Sequence, residues 1–397
     1  MNRCYKYRIY PTKIQREALD SIFYFCRFLY NCALEERISF YKRYGKSLSY
    51  ASQCKQLSDI KNLFPESKNV FSQTLQQVLK QVDTAYSNFF RRVKRKAKAV
   101  GFPRFKNKDR FRSILFPQSD LNSFGIKKLE NDRLKIFGIG DVKPIWHRPF
   151  QGRCKNVRIM KQAEKYYIIL CCENVPKETL VPTGKSVGID LGLTSFITTD
   201  QNVKIKHPKP YKTAKEKLAY INRRLALKTR GSNNRKKTIL QLQKQYERVS
   251  NIRNDFHHKV AKQLVKENDT IFIEKLNIQG MLEAKGFEVN KSNITDASWG
   301  NFVSILVYKA ESAGRSVIER DPKNTTKTCC KCGNIKEKLT LQDREYNCSN
   351  CGNVMDRDHN AAINIRNGLQ PQAIPIVLGM SLANGKTFSE ANDLSRW

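Results

Sequence analysis

The chain has 397 residues, 40% of them hydrophobic, which is ordinary for globular protein and enough for about two to four domains. Lys and Arg number 73 against 36 Asp and Glu, for a formal net charge of +37. Such an excess repels itself unless a polyanion is near, so it favours nucleic acid; no long apolar segment or amphipathic anchor accompanies it, which argues against a membrane.

The N-terminal stretch MNRCYKYRIYPTK lacks the apolar core of a signal peptide, so the protein is expected to stay in the cytoplasm, associated with the nucleoid. Residues 3–10 alternate as a short strand that Pro11 ends. Thr12 and Gln15 form a capping box, opening a long helix with an apolar side at Ile14, Ala18, Ile22, Cys26, Leu29 and Ala33. A second helix carries Leu75, Val78, Val82, Ala85, Tyr86 and Phe89 and runs into the basic RRVKRKAK at 91–98. GFPRFKNKDRFRS (101–113) interleaves aromatic and basic residues, a composition suited to base stacking with phosphate contact and equally to a basic loop with Phe packed inward.

From there to residue 180 short alternating runs, such as NVRIM and KYYIILCCE, predict a small β-barrel-like module, completed by the N-terminal strand and interrupted by the helices. Residues 187–199 predict a strand and hairpin, followed by two helices hinged at Gly231–Asn234. The second has Ile239, Leu242, Tyr246, Val249, Phe256, Val260 and Leu264 on one stripe, with Lys244, Arg248, Arg253, Lys259 and Lys262 on its other faces. Pro371, Pro375 and Gly379 interrupt residues 369–397, which are expected to be loosely ordered.

Three acidic residues stand in suggestive settings. Asp190 ends the apolar run Ser186–Ile189, and Gly188 and Gly192 beside it leave room for a phosphate or metal. The GIDLG run also resembles the first phosphate loop of actin- and Hsp70-like ATPases, but no second phosphate motif follows. Glu274 ends the apolar run Thr270–Ile273, where a buried carboxylate needs a cation or donor and an exposed one needs neither. Asp356 and Asp358 both suit the N-terminus of the helix that follows, and their residue types do not choose between capping and chemistry. Brought together, such carboxylates can hold two Mg²⁺ ions about 4 Å apart for phosphodiester hydrolysis, with Mn²⁺ as a substitute.

The cysteines are more specific. Most of the twelve are scattered and read as small core residues in a reducing compartment. Cys329 and Cys332, then Cys348 and Cys351, repeat a CxxC spacing, with Gly333 and Gly352 suiting the knuckle turns. Four thiolates leave no open coordination position, so one structural Zn²⁺ is expected, with Cys330 a bystander.

In their order, YKYRIYPTKIQ, GFPRFK, IWHRPFQG, GIDLG, TRGSNNRKK, IEKLNI, DPKNTTKTCCKCG and CGNVMDRDHNAAINI resemble the TnpB family of transposon-encoded RNA-guided DNA endonucleases, related to miniature type V CRISPR effectors. The resemblance covers nearly the whole chain and implies an α/β multidomain fold. A wedge-like β-barrel (1–10 and 101–182) would hold a helical recognition insert (11–100). A ribonuclease H-like RuvC domain (183–325 and 353–368) would contain an inserted zinc ribbon (326–352). It also implies a guide RNA, a target double-stranded DNA cut beside a short motif, and Mg²⁺-dependent cleavage. The family pattern places the active aspartate two positions before Asn, selecting Asp358 over Asp356 as the partner of Asp190 and Glu274. Arg91, Arg92, Arg104, Lys106 and Arg248 are candidate backbone contacts. A guided binder without cleavage, or a DNA-binding accessory of transposition, are the alternatives.

Overall fold

The computed structural model describes residues 1–97, 100–108, 111–122, 125–283, 288–340, 342–368 and 374–375. These form two compact units, Met1–Pro176 and Lys177–Trp397.

In the first unit, strand β1 (Arg3–Ile9) leads into helix α1 (Lys13–Tyr44). The capping box is present: Thr12 accepts from the Gln15 amide, and the Gln15 side chain accepts from the Thr12 amide. Ile22, Cys26, Leu29 and Ala33 are buried as the period predicts, but Ile14 is 78% exposed because the first turn precedes the packed stripe. Short helices α2 (Tyr50–Lys55) and α3 (Leu57–Leu63) lead to α4 (Ser72–Lys94), whose Leu75, Val78 and Val82 share a core with α1.

Strands β2 (Ser113–Pro117), β3 (Ile126–Lys128), β4 (Leu134–Ile136), β5 (Gly140–Val142), β6 (Arg153–Gln162) and β7 (Lys165–Glu173) complete this unit. They do not close into the expected barrel. The antiparallel order is β1-β7-β6-β2, with β1 and β2 at its two ends and β3-β4-β5 a separate meander; the outer side of β1 is met at its end, where Ile9 bridges Pro144 and the Ile145 amide donates to the Arg8 carbonyl. The apolar face of the larger sheet (Ile114, Phe116, Val157, Ile159, Ile168, Leu170) shares its core with α1 and α4, so helices cover the surface that a barrel would have turned inward.

The second unit is built on a six-stranded mixed sheet. Its strands are β8 (Ser186–Asp190), β9 (Ile197–Thr199), β10 (Lys204–Ile205), β11 (Thr270–Glu274), β12 (Ser316–Arg320) and β15 (Ile374–Pro375), in the order β10-β9-β8-β11-β12-β15. β8, β11 and β12 run parallel. Helices α5 (Pro210–Ala226) and α6 (Asn233–Glu267) join β10 to β11; α7 (Ile278–Glu283), α8 (Glu288–Ala297) and α9 (Trp299–Ser312) join β11 to β12. Hairpin β13 (Glu345–Asn347) and β14 (Val354–Asp356) precedes α10 (Arg357–Asn367). The tail expected to be loosely ordered lies, apart from residues 374–375, outside the described residues.

Strand alternation assigns the two sheet faces. Val187, Ile189, Ile271 and Ile273 pack with Val260 and Leu264 of α6 and Phe302 and Leu306 of α9. Gly188 and Asp190 face the other way. There α10 comes so close that a Cβ at Gly188 would lie 2.2 Å from the Ala362 carbonyl oxygen. Gly188 therefore serves helix-on-strand packing, not ligand approach. Gly192 sits in a tight turn, where a Cβ would meet the Ser195 carbonyl at 2.8 Å.

Arg253 also departs from the expected basic face. It turns inward to Asp296 at 3.2 Å, while Asp296 accepts the backbone amides of Tyr211 and Lys212 and so caps α5. Asn-rich sequence marked the hinge; this tertiary cap had no local signature. Among the described residues, no helix is long and apolar enough to cross a membrane.

Candidate metal centres

Asp190 and Glu274 occupy the carboxyl ends of adjacent parallel strands, with Ile189 and Ile273 in register just before them. In open α/β sheets this end is where ligands are usually met. Asp358 arrives on the first turn of α10, the helix seated against β8 at Gly188. Three residues separated by up to 168 positions thus come within electrostatic range at one sheet end, although among the described residues their carboxylate oxygens do not close to the spacing of a formed metal cluster.

Their mutual electrostatics reflect the meeting. Burial pushes the Asp190 carboxyl well above the usual range, and the negative charges of Glu274 and Asp358 push it further; Arg357 pulls it back. Burial also raises Glu274, against the donated hydroxyl hydrogen of Thr325. Asp358 lies 3.5 Å from the Arg357 guanidinium.

Asp356 is committed elsewhere. It caps α10 by accepting the His359 amide at 3.0 Å and pairs with Lys204 at 2.6 Å. Burial would raise its carboxyl, but Lys204 and the His359 amide outweigh that and hold it low. Asp356 thus has a cap and an ion pair of its own, while its charge still raises the Asp190 carboxyl slightly.

The four cysteines form a second centre. Their sulfurs all lie within 4.8 Å of one another. Cys329 and Cys351 are 3.7 Å apart, and Cys332 and Cys348 are 3.5 Å apart. Four thiolates about 2.3 Å from a tetrahedral zinc would have edges of about 3.8 Å, so the spacing fits a metal ion. In each knuckle the glycine amide donates to the first cysteine carbonyl, Gly333 to Cys329 and Gly352 to Cys348, and both glycines have positive φ. Backbone N–H groups around Asn334, then the Asn350 amide, lower the Cys332 thiol to about 6, which favours the thiolate a metal needs. Tyr346, fully buried, packs with Cys329 and Cys348 and donates to the Lys327 carbonyl.

The two centres share a scaffold. β14 runs from the second knuckle directly into α10. Asn360, fully buried on α10, accepts from the Cys330 amide at 2.9 Å and donates to the Thr328 carbonyl at 2.8 Å. Asn364 donates to the carbonyls of Thr325 and Thr328. Asp200 ties the other side: it pairs with Arg366 at 2.7 Å and accepts the Gly188 amide. Sequence reading missed Thr325, Asn360, Asn364 and Asp200; only the asparagines interleaved with Ala361, Ala362, Ile363 and Ile365 hinted at buried partners.

The candidate nucleic-acid residues are spread over both units. Arg104 and Arg248 are exposed, on a loop of the first unit and on α6 of the second. Arg91 bonds to Asn88 and Arg92 to the Gly101 carbonyl. Lys106 is half-buried, bonded to Gln81 and seated 4.1 Å over the Tyr30 ring, so it holds its loop in place. Of the interleaved aromatics, Phe102 and Phe105 are about half exposed and Phe111 is buried.

Known proteins match along most of the chain. Residues 169–285 match the family described as "Probable transposase", residues 299–365 the "Cas12f1-like, TNB domain", and residues 1–46 a "Helix-turn-helix domain". A Streptomyces pristinaespiralis protein named "Putative RNA-guided DNA endonuclease" is 32% identical over 376 residues, covering 92% of this chain and 89% of the relative. The chain belongs to that family, the TnpB type of transposon-encoded proteins. An Escherichia coli relative named "Putative RNA-guided DNA endonuclease InsQ" is 28% identical, covering 91% of each chain.

The fold is similar to that of a protein solved as a "Cas12f1-sgRNA-target DNA complex", with TM-score 0.57 and 17% identity, covering 88% of this chain and 82% of that one. One label departs from the structure: residues 1–46 hold strand β1 and the single 32-residue helix α1, with no turn between two helices.

Proposed function

We propose that this TnpB-family chain is an RNA-guided DNA endonuclease, cutting target double-stranded DNA beside a short motif by Mg²⁺-dependent hydrolysis in a RuvC site. The carrying observation is the convergence of Asp190, Glu274 and Asp358 at one end of the parallel strands. Three partly enclosed carboxylates repel one another, and a divalent cation offsets that cost. Oxygen-only donors suit Mg²⁺, with Mn²⁺ as substitute. When bound, such ions supply charge neutralisation at the phosphate and a water acidic enough to attack near neutral pH.

The chain's own residues prepare the site. Thr325 holds the Glu274 carboxylate in orientation, and Arg357 stands beside Asp358. Lys204 pairs with Asp356 and offsets its charge beside the site. Zn²⁺ in the four-thiolate centre holds the ribbon that feeds into α10, a positional role with no open coordination site. In this reading residues 11–100 are the recognition helices, 183–325 with 353–368 the ribonuclease H-like nuclease, and 326–352 the zinc ribbon. Pairing with guide RNA supplies sequence specificity, and the basic surface supplies backbone affinity.

The test is to purify the chain with its native RNA, replace the guide segment and follow the cut site. Cleavage should move with the guide and stop in Asp190→Asn, while target binding persists. Tight guided binding with no cutting in Mg²⁺ or Mn²⁺ would leave a binder; specific binding that survives RNase would leave a transposition accessory.

A further inference from the structure

Two cysteine pairs face each other across the antiparallel ladder of the first unit. Cys4 of β1 is directly opposite Cys171 of β7, and Cys154 of β6 is directly opposite Cys172. Successive residues of a strand point to opposite faces, so the pairs lie on opposite sides of the sheet. Cys154 and Cys172 are buried, whereas Cys4 is exposed and Cys171 half-buried.

The Cys4 and Cys171 sulfurs are 3.0 Å apart, joined by a thiol hydrogen bond. Directly opposed residues in antiparallel strands have Cα separations of about 4.5 or 5.5 Å, and both lie within the span of a disulfide. The strands need no rearrangement for a bond to form. The hydrogen bond from Cys4 lowers the Cys171 thiol to about 7, burial opposes this, and the Arg158 guanidinium assists it. The same bond, then burial, raises Cys4. Of the two thiols, Cys171 is therefore the one that ionises first, with Cys4 beside it as hydrogen-bond donor to the thiolate.

We propose that Cys4 and Cys171 form a redox-reactive pair that a hydroperoxide converts into a cross-strand disulfide. The Cys171 thiolate attacks one peroxide oxygen; the O–O bond breaks and hydroxide leaves, giving a sulfenic acid. The Cys4 sulfur then attacks that sulfur; the S–S bond forms, the S–O bond breaks, and the departing hydroxide takes the Cys4 proton as water. For hydrogen peroxide, two thiols lose two electrons and two protons and the oxidant becomes two waters. A dithiol reverses the bond by exchange. Residues 143–145 meet the outer side of β1 at its far end, around Arg8–Tyr10, so the bond adds a covalent tie to β7 at the start of the strand.

The test treats the full-length chain with hydrogen peroxide, quenches by alkylation and maps peptides by mass, with Cys32, an exposed cysteine of α1, as reference. A linked Cys4–Cys171 peptide should appear before Cys32 is modified, lighter by about 2 Da and reversed by dithiothreitol. The oxidised chain should unfold at higher temperature. In Cys171→Ser, Cys4 should react no faster than Cys32. Oxidation of Cys4 and Cys171 at the rate of Cys32, a Cys154–Cys172 link in their place, or unchanged Cys4 reactivity in Cys171→Ser would each overturn the proposal.

Discussion

The side-chain oxygen of Asn360 accepts the amide hydrogen of Cys330 at 2.9 Å, so the helix that presents Asp358 grips the first cysteine knuckle by its backbone. Asn360→Leu would leave the Cys330 amide without this acceptor at a fully buried position, while the Thr328 carbonyl keeps its bond from Asn364. The loss costs about 1–3 kcal/mol. The variant should unfold at lower denaturant, and cleavage should fall with it, while bound zinc stays at one per chain by elemental analysis. Wild-type stability would show that the grip contributes little.

Asp356 and Asp358 should separate sharply when each is changed to Asn. Asp358→Asn removes a proposed metal ligand, and losing several kcal/mol of charge stabilisation slows cleavage by about 10³-fold or more. Asp356→Asn keeps a capping side chain and loses the Lys204 pair, which is partly exposed and worth about 1 kcal/mol or less. Cleavage rates under saturating guide and target test the contrast. Equal losses would mean that Asp356 shares the chemistry.

Removing metal from the four-thiolate centre should loosen the ribbon and, through β14, the start of α10. A strong zinc chelator is expected to abolish cleavage even with excess Mg²⁺, and added Zn²⁺ should restore it. Hydrogen exchange should report new opening across residues 326–360 first. Full activity with no bound zinc would exclude the positional role.

His257 supplies a pH test outside both centres. It is fully buried, donating from Nε2 to the Ala297 carbonyl and accepting from Asn301 at Nδ1, and it stacks on Phe196. Burial lowers it from 6.5 to about 4. The unfolded chain therefore binds more protons between those values; its contribution is complete above pH 6.5 and is lost as pH falls toward 4. The loss should reach about 3 kcal/mol. Denaturant midpoints at pH 7.5 and 4.5 should differ less in His257→Gln than in the wild type; identical differences would remove His257 as the cause.

What the sequence made legible was whatever local spacing determines. The Thr12–Gln15 cap, the β8–β9 hairpin, the helix hinge and the cysteine knuckles all depend on neighbours within a few positions. The open sheet was not legible, because alternation specifies two faces but not whether the edge strands β1 and β2 find each other. Nor was the inward turn of Arg253, which depends on Asp296, 43 residues away. At the carboxylates, residue type alone left Asp356 and Asp358 equal, and family resemblance favoured the second. The structure adds a separate reason in Lys204, which contacts Asp356 from 152 residues earlier.

The close seating of α10 on Gly188 also bears on synthesis. A ribosome makes Asp190 and Glu274 long before Asp358, and the third carboxylate reaches them only when α10 has emerged and docked. If the proposed site is the cutting site, the nascent chain until then has two acidic strand ends and an incomplete set of carboxylates. A polypeptide stalled or truncated before that helix would be expected to lack nuclease activity, so the topology itself postpones any threat to the DNA of the cell making it.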